Sequence, residues 1–105
     1  MNYLKIVGIK NSKRKNKRFQ VLLNNNTKYD FGLLGGHTYL DHHDGKKRRA
    51  YWARHTKNKN EGKLIGHLTP SPALFSAYLL WGSSTNLGTN IEDLNNLWKR
   101  LRIKG

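Results

Sequence analysis

The spacing of apolar residues changes along this chain, and that change is the feature that most limits how it can fold. Phe19, Val21 and Leu23 alternate with polar residues, which is typical of a β-strand with one buried face. Near the other end, apolar residues recur every three or four positions, which is typical of a helix with one buried stripe. The stripe consists of Ile91, Leu94, Leu97, Trp98 and Leu101. The sequence therefore predicts strands first and helices afterwards.

The first third of the chain predicts a three-stranded antiparallel meander that ends at about residue 34. The predicted strands are residues 3–9, 18–23 and 28–33. They are rich in β-branched, aliphatic and aromatic side chains, and polar turns separate them. The second turn contains three consecutive asparagines, Asn24, Asn25 and Asn26, and asparagine tolerates the left-handed backbone conformation that tight turns need. Two glycines, Gly35 and Gly36, end the pattern.

Capping signals mark three helices in the rest of the chain. Asp44 can accept hydrogen bonds from the free N–H groups that begin a helix. Ser71 and Pro72 begin a second helix, since proline at the first helical position loses no hydrogen bond. Thr89 and Glu92 have the spacing of a capping box before the third. The predicted helices are residues 45–57, 72–81 and 90–102, with a polar loop over residues 58–69.

These elements predict one α+β domain over residues 1–105, in which the helices cover one face of the meander. The length is enough for one modest hydrophobic core. The chain has no cysteine, which excludes disulfides, thiolate metal sites and thiol catalysis. The predicted core consists of Ile6, Phe19, Val21, Leu23, Phe31, Tyr51, Leu74, Tyr78, Trp81, Ile91, Leu94 and Trp98.

Positive charge dominates the composition and predicts a polyanionic partner. Twenty Lys and Arg face six Asp and Glu, which gives a formal net charge of +14. A small domain of this charge repels itself, and a bound polyanion relieves the repulsion. The predicted partner is nucleic acid, DNA rather than RNA, with acidic virion proteins as the alternative. The candidate nucleic-acid-binding residues are Lys13, Arg14, Lys15, Lys17 and Arg18 at a hairpin tip, and Lys46, Lys47, Arg48, Arg49, Arg54 and Lys57 on the first helix.

Binding of this kind is predicted to be electrostatic, with little sequence specificity, as in genome packaging or condensation. The cations of residues 46–57 cannot all share one face at 3.6 residues per turn, so some point outward whichever face is buried. Tyr51 and His55 are four residues apart and share a face, and we expect them to dock on the sheet rather than on bases. The sequence contains no helix-turn-helix, zinc-finger or RNP-type signature.

A cluster of histidine and aspartate residues predicts the enzymatic alternative, a metal-dependent nuclease. His37, Asp41, His42, His43 and Asp44 lie within eight positions, and imidazole and carboxylate groups are ligands of Zn, Mn and Mg sites. Their spacing matches no established site, the two adjacent histidines would diverge, and Asp44 already has a use as a helix cap. These five residues are the candidate metal ligands. Apart from them, the sequence predicts no cofactor and no catalytic residue.

Several short segments, taken in order, resemble those of a known family. They are Phe31-Gly32, His42-x-Asp44, Tyr51-x-x-Arg54-His55, Tyr78-Leu79-Leu80-Trp81-Gly82-x-Ser84-Thr85 and Asn90-Ile91. From about residue 3 to residue 100 the chain is similar to an uncharacterised family of small basic proteins encoded by large DNA viruses of protists and algae. It departs from that pattern at Gly45, where the family has proline. The resemblance implies a viral origin and a strand-then-helix fold, and it implies no biochemical activity.

A viral origin adds a structural alternative, a minor capsid or cement component of a virion. Such a protein would expose apolar residues that its core does not need, and Trp52, Leu64 and Ile65 are the candidates. The longest apolar stretch, residues 77–81, is far shorter than the ~20 residues that cross a bilayer, and the N-terminus lacks the apolar region of a signal peptide. We therefore expect no membrane partner and no secretion, but a location inside an infected cell or the virion.

Overall fold

A three-stranded antiparallel sheet forms the N-terminal part of the protein, as predicted. The structure is a computed structural model, and it describes residues 3–104. The strands are β1 (Ile6–Asn11), β2 (Lys17–Leu23) and β3 (Lys28–Leu33), with β2 in the centre. Asparagines form the tight turns: Asn16 and Asn26 have φ angles of 67° and 68°, in the left-handed region that this residue type tolerates.

One face of the sheet is buried and the other faces solvent. Val21 and Phe31 are fully buried, and Phe19 packs beside Phe31 across the strands with ring centroids 6.0 Å apart. Successive side chains of a strand point to opposite faces, so Lys10 and Lys28 lie on the open face, where both are exposed. The alternation that predicted these strands therefore also predicts which face is buried.

Within residues 3–104, five α-helices follow the sheet, and the predicted α+β fold is confirmed. They are α1 (Tyr39–His42), α2 (Gly45–Lys57), α3 (Lys59–Gly66), α4 (Pro72–Phe75) and α5 (Leu87–Arg100). Helix α4 continues as one π-helical turn, Ser76–Leu80, called the π turn below. The predicted starts of α2 and α4 are confirmed, because the side chains of Asp44 and Ser71 accept hydrogen bonds from the first N–H groups of those helices.

The loop predicted over residues 58–69 is wrong, because most of it forms α3. The Asn58 side chain accepts hydrogen bonds from the first N–H groups of α3 at 3.1 Å, so the helix begins as soon as α2 ends. A Cβ atom on Gly62 would lie 2.5 Å from the carbonyl oxygen of Thr56, so glycine permits the close junction of the two helices. A glycine within a polar segment hides such a helix from pattern-based prediction.

The capping box predicted at Thr89 is also wrong, because Asn86 is the N-cap of α5. The Asn86 side chain accepts a hydrogen bond from the Thr89 N–H at 2.9 Å, which places Thr89 inside the first turn. Asn90 is 1% exposed, and its amide donates to the carbonyl oxygens of Leu79 at 3.0 Å and Ser84 at 2.8 Å. The start of α5 is thereby tied to the end of the π turn.

The main core lies between the buried face of the sheet and the segment formed by α4, the π turn and α5. Most of the predicted core is buried, but Phe19, Tyr78, Trp81 and Ile91 are only half-buried at its edge. The buried residues that the sequence pattern missed include Leu4, Leu68, Phe75, Leu79 and Leu80. The π turn explains the shifted register after residue 75, since the Trp81 N–H bonds to the carbonyl of Ser76, five residues back, at 3.1 Å.

A second, smaller cluster joins α2, α3 and the π turn. It consists of Tyr51, Ile65 and Ala77. The Tyr51 ring stacks on the Trp81 indole with centroids 4.4 Å apart and planes 7° apart. The His55 ring stacks on the Tyr51 ring, with centroids 4.0 Å apart. Tyr51 thus docks on Trp81, and His55 stacks on Tyr51 and pairs with Glu61 of α3, rather than docking on the sheet as expected. Burial, helped by the nearby Glu61 carboxylate, raises the pKa of Tyr51 to about 12.

Candidate nucleic-acid interface

Nearly all the positive charge within residues 3–104 lacks a carboxylate partner in that part of the chain. Of the twenty lysines and arginines, all of which lie within residues 3–104, only Arg18 forms an ion pair with a carboxylate. The other ion pair in that part of the chain joins His55 to Glu61. The remaining cations are thus available to an external anion unless the fold uses them in another way.

The outward face of α2, called the outer face below, is the densest cationic surface on a regular element. It carries five exposed cations and two exposed alanines: Lys46, Lys47, Arg49, Arg54, Lys57, Ala50 and Ala53. No acidic residue interrupts Gly45–Lys57. The alanines leave space between the long side chains, so an extended polyanion can approach the helix backbone closely. Five of the eleven residues predicted to bind nucleic acid lie here.

Arg48, also predicted to bind, points inward instead. Its Nε donates to the carbonyl oxygens of Trp81 at 3.0 Å and Gly82 at 2.8 Å. Its guanidinium carbon lies 5.9 Å from the centre of the Trp52 ring, and the Trp52 indole N–H donates to the same Trp81 oxygen at 2.7 Å. These bonds satisfy carbonyl groups at the end of the π turn, so Arg48 links α2 to that turn and is not part of the outer face.

Arg18 is engaged internally as well. Each of its two terminal nitrogens donates to a different oxygen of Asp41, both at 2.9 Å, and this bidentate pair connects β2 to α1. The Asp41 carboxylate also accepts from the N–H and hydroxyl of Thr38, the residue before α1. The Arg18 hydrogen bonds, followed by those of Thr38, hold the pKa of Asp41 well below its usual range despite partial burial. Arg18 therefore supports the fold.

The tip of the β1–β2 hairpin supplies three more exposed cations from the predicted set, Lys13, Arg14 and Lys15, called the arm below. The Ser12 hydroxyl lies 2.5 Å from the Asp30 carboxylate and accepts from the Arg14 N–H at 3.0 Å, which fixes the base of the arm. Next to the arm, half-buried Lys17 shares a shallow groove with Tyr51 and His55 of α2. The hairpin and α2 therefore share this groove, although Lys17 is the only one of the predicted cations that lines it.

The proposed metal ligands do not converge. Asp41 pairs with Arg18, and Asp44 caps α2. His42 accepts from the Asp44 N–H through Nδ1 at 2.9 Å, while the Nε2 of His43 lies 3.2 Å from the Leu40 carbonyl. His37 is exposed. Within residues 3–104, no group of three or more His, Asp or Glu side chains is arranged to hold a metal ion.

The apolar residues expected to be exposed on a cement protein are mostly covered. Ile65 is 3% exposed, and Trp52 and Leu64 are half-buried. Among residues 3–104, the large apolar residues that are exposed are Val7, Leu33, Leu34 and Leu101. Leu33 and Leu34 are adjacent and 67% and 64% exposed, and the backbone fixes them there, because the Leu34 N–H donates to the Asn16 carbonyl at 3.0 Å. Large apolar residues are thus exposed, but they are not the residues that were predicted.

A groove between α2 and α5, called the α2–α5 groove below, has no counterpart in the sequence-based predictions. It has a volume of about 610 Å³, and its lining includes Arg48, Trp52, Tyr78, Asn96 and Arg100. Burial raises the pKa of the Tyr78 phenol. The groove brings together residues from two helices that are far apart in sequence, Arg48 and Trp52 from α2 and Asn96 and Arg100 from α5. Only the packing of α5 against the π turn shows that they share a site.

Gly82 sets the closeness of that packing. A Cβ atom at this position would lie 2.6 Å from the Cγ of Asn90 and would also collide with the Tyr78 carbonyl oxygen. The position therefore requires glycine for steric reasons, in a segment where Asn90 also accepts a hydrogen bond from the Ser84 N–H at 3.0 Å. Gly82 lines the groove, and its lack of a side chain permits the close approach to α5.

A family model described as a family of unknown function (DUF5754) matches residues 7–55. The matched segment contains the sheet, the arm, α1 and nearly all of α2, but not α5. No curated protein and no solved structure matches the chain. None of the helices within residues 3–104 has the length and apolar composition that a membrane crossing requires.

Proposed function

We propose that this protein binds nucleic acid, DNA in preference to RNA, through phosphate contacts made by the outer face of α2 and by the arm. The observation that carries the proposal is the outer face itself, with five exposed cations, two alanines and no acidic residue over thirteen residues. Phosphate groups neutralise such a surface and release their counterions to solution, which drives binding. An acidic protein could bind here only if its carboxylates matched the spacing of the cations on the outer face.

The geometry favours contacts with the backbone over contacts with bases. The outer face carries no asparagine or glutamine, the side chains that pair with adenine, and its lysines and arginines are the residues that most often contact phosphates. Phosphate contacts orient a protein on a duplex and carry no sequence information. We therefore expect affinities for unrelated DNA sequences to agree closely, as condensation or packaging of a genome requires.

The preference for DNA rests on groove width. An α-helix such as α2 fits the major groove of B-form DNA or lies across its edge, whereas the major groove of A-form RNA is too narrow to admit one. The viral origin implied by the resemblance stays a prediction, since the matched family model carries no function.

The test is to measure affinity for duplex DNA, duplex RNA and heparin at several salt concentrations, with and without EDTA. We expect the logarithm of the DNA affinity to fall linearly with the logarithm of salt at a slope near about −5, for roughly six phosphate contacts. Absence of salt-dependent DNA binding would contradict the proposal. Cleavage products that disappear with EDTA would support the metal-dependent nuclease in its place.

A second candidate is a structural role in a larger assembly, such as a minor capsid component, and the exposed Leu33–Leu34 pair favours it. These leucines lie beside the arm, where an acidic protein with an apolar patch would complement both features. Replacing both by Ser would weaken assembly and leave DNA affinity unchanged if this role is the main one. Co-sedimentation with the assembled particle measures the first effect.

A further inference from the structure

The α2–α5 groove combines aromatic surface with fixed positive charge. Half-buried Trp52 and Tyr78 meet edge to face with centroids 5.3 Å apart and line the groove together. The indole N–H of Trp52 is bonded to the Trp81 carbonyl, so the ring is held in place. Within residues 3–104 the Tyr78 hydroxyl has no hydrogen-bond partner of its own, which leaves it available to a ligand.

Arg48 is preorganised at one side of this groove. Its Nε is bonded to two backbone carbonyls, so the plane of the guanidinium is fixed. Its two terminal nitrogens have no partner among the described residues, and Arg48 lines the groove. An arginine held in this way binds a phosphate with two parallel hydrogen bonds at little cost in side-chain entropy. Arg48, predicted from the sequence to bind nucleic acid, is therefore placed to hold an anion in this groove and not on the outer face.

Arg100 supplies a second charge from α5. It is exposed, lies in the last turn of the helix and has no ion pair within residues 3–104. One carboxylate, Asp93, also lines the groove, and it accepts a hydrogen bond from the Ser83 hydroxyl at 3.3 Å. Two guanidinium groups against one carboxylate leave the groove net positive.

We propose that the α2–α5 groove holds one unpaired nucleotide of a bound strand, with its phosphate between Arg48 and Arg100 and its base against Trp52 and Tyr78. The inference rests on the proposed function and names the form of nucleic acid that the protein prefers. A duplex keeps its bases stacked and paired, so a strand end, loop or single strand meets the groove at lower cost. Asn96 lines the same groove and can bond the edge of the base.

The experiment compares two probes of equal charge: a short oligothymidylate and a strand of the same length made of abasic residues. Stacking on aromatic side chains is sequence-tolerant and strong, so the parent protein should bind oligothymidylate about tenfold more tightly than the abasic strand. Quenching of tryptophan fluorescence should accompany the oligothymidylate alone. Equal affinity for the two strands would overturn the groove proposal.

A matched pair of variants locates the effect. Lys99→Ala and Arg100→Ala each remove one exposed charge from the same turn of α5, but Arg100 lines the α2–α5 groove and Lys99 lies against Tyr3 and Asn24 elsewhere. We expect Arg100→Ala to weaken oligothymidylate binding by about tenfold and Lys99→Ala by about twofold or less. Equal losses would overturn the proposal.

The two proposals fail in different ways. A parent protein that binds duplex DNA with a steep salt dependence, but binds the abasic and normal strands equally, contradicts the groove and leaves the outer face intact. A parent protein that binds none of these probes contradicts both. Circular dichroism of both variants confirms that they are folded before affinities are compared.

Discussion

Arg48 and Arg49 are neighbours in sequence and differ completely in their surroundings. Arg48 is half-buried, with its Nε bonded to the carbonyls of Trp81 and Gly82. Arg49 is exposed on the outer face and has no carboxylate partner within residues 3–104. A single step along a helix turns the side chain by 100°, so one arginine becomes part of the scaffold and the next remains free. Charge counted from sequence therefore overstates the charge available to a partner.

The hairpin repeats the contrast over a longer distance. Lys13 and Lys15 are exposed at the tip, whereas Arg18 at the base pairs with Asp41 and anchors α1. In both segments the cation nearest the body of the protein is an arginine, whose planar group satisfies two acceptors at once. The exposed lysines and arginines of both segments, Arg14, Arg49 and Arg54 among them, lie farther out, where a phosphate backbone can reach them.

The largest expected effect concerns the contact on which the Arg48 scaffold depends. Gly82→Ala should lower the free energy of unfolding by about 3 kcal/mol or more, because the new Cβ would lie 2.6 Å from Asn90. Urea denaturation followed by circular dichroism measures this. Gly66→Ala is the matched control, since a Cβ there meets nothing within 4 Å. Equal stability of the two variants would show that α5 does not pack closely on this segment.

The second prediction tests the arginine pair directly. Arg48→Ala should lower the free energy of unfolding by about 1–3 kcal/mol, because two carbonyl groups lose a charged donor, while Arg49→Ala should change it by less than about 0.5 kcal/mol. Denaturation midpoints of the two variants provide the comparison. A reversal of that order would move Arg48 to the surface and require a different register for α2.

The third prediction concerns pH and the Arg18–Asp41 pair. Because the fold lowers the pKa of Asp41 below its ordinary value of 3.8, the pair stabilises the protein fully above that value and loses its effect as pH falls below it. Asp41→Asn should cost about 1 kcal/mol at pH 7, a modest figure since the pair is partly exposed. The difference between parent and variant should shrink below pH 3.8 in denaturation experiments. A constant difference at all pH values would contradict the ion-pair account.

The fold class could be predicted because alternation, caps and helical stripes are local signals. Three features could not. The helix α3 contains a glycine that serves a contact with Thr56, the π turn shifts the register of α4 after residue 75, and Asn90 acts as a buried link and not as part of a cap. Each depends on a contact with a distant segment, which no local pattern records.

The candidate site divides in the same way. The exposed lysines of α2 could be predicted, since a helix with cations all around must expose some of them. The inward position of Arg48 and the α2–α5 groove could not, because both require the carbonyls of Trp81 and Gly82 to lie beside α2. The prediction that the outer face binds DNA is independent of both.

The most direct test of the central claim is the salt dependence of duplex DNA binding for two double variants that each remove two exposed charges. One is Lys46→Ala with Arg49→Ala on the outer face, and the other is Lys10→Ala with Lys28→Ala on the open face of the sheet. We predict that the first flattens the slope of log affinity against log salt by about two units, since each lost phosphate contact accounts for roughly 0.9, and that the second leaves the slope unchanged. Equal flattening in both variants, or none in the first, would contradict the assignment of the outer face.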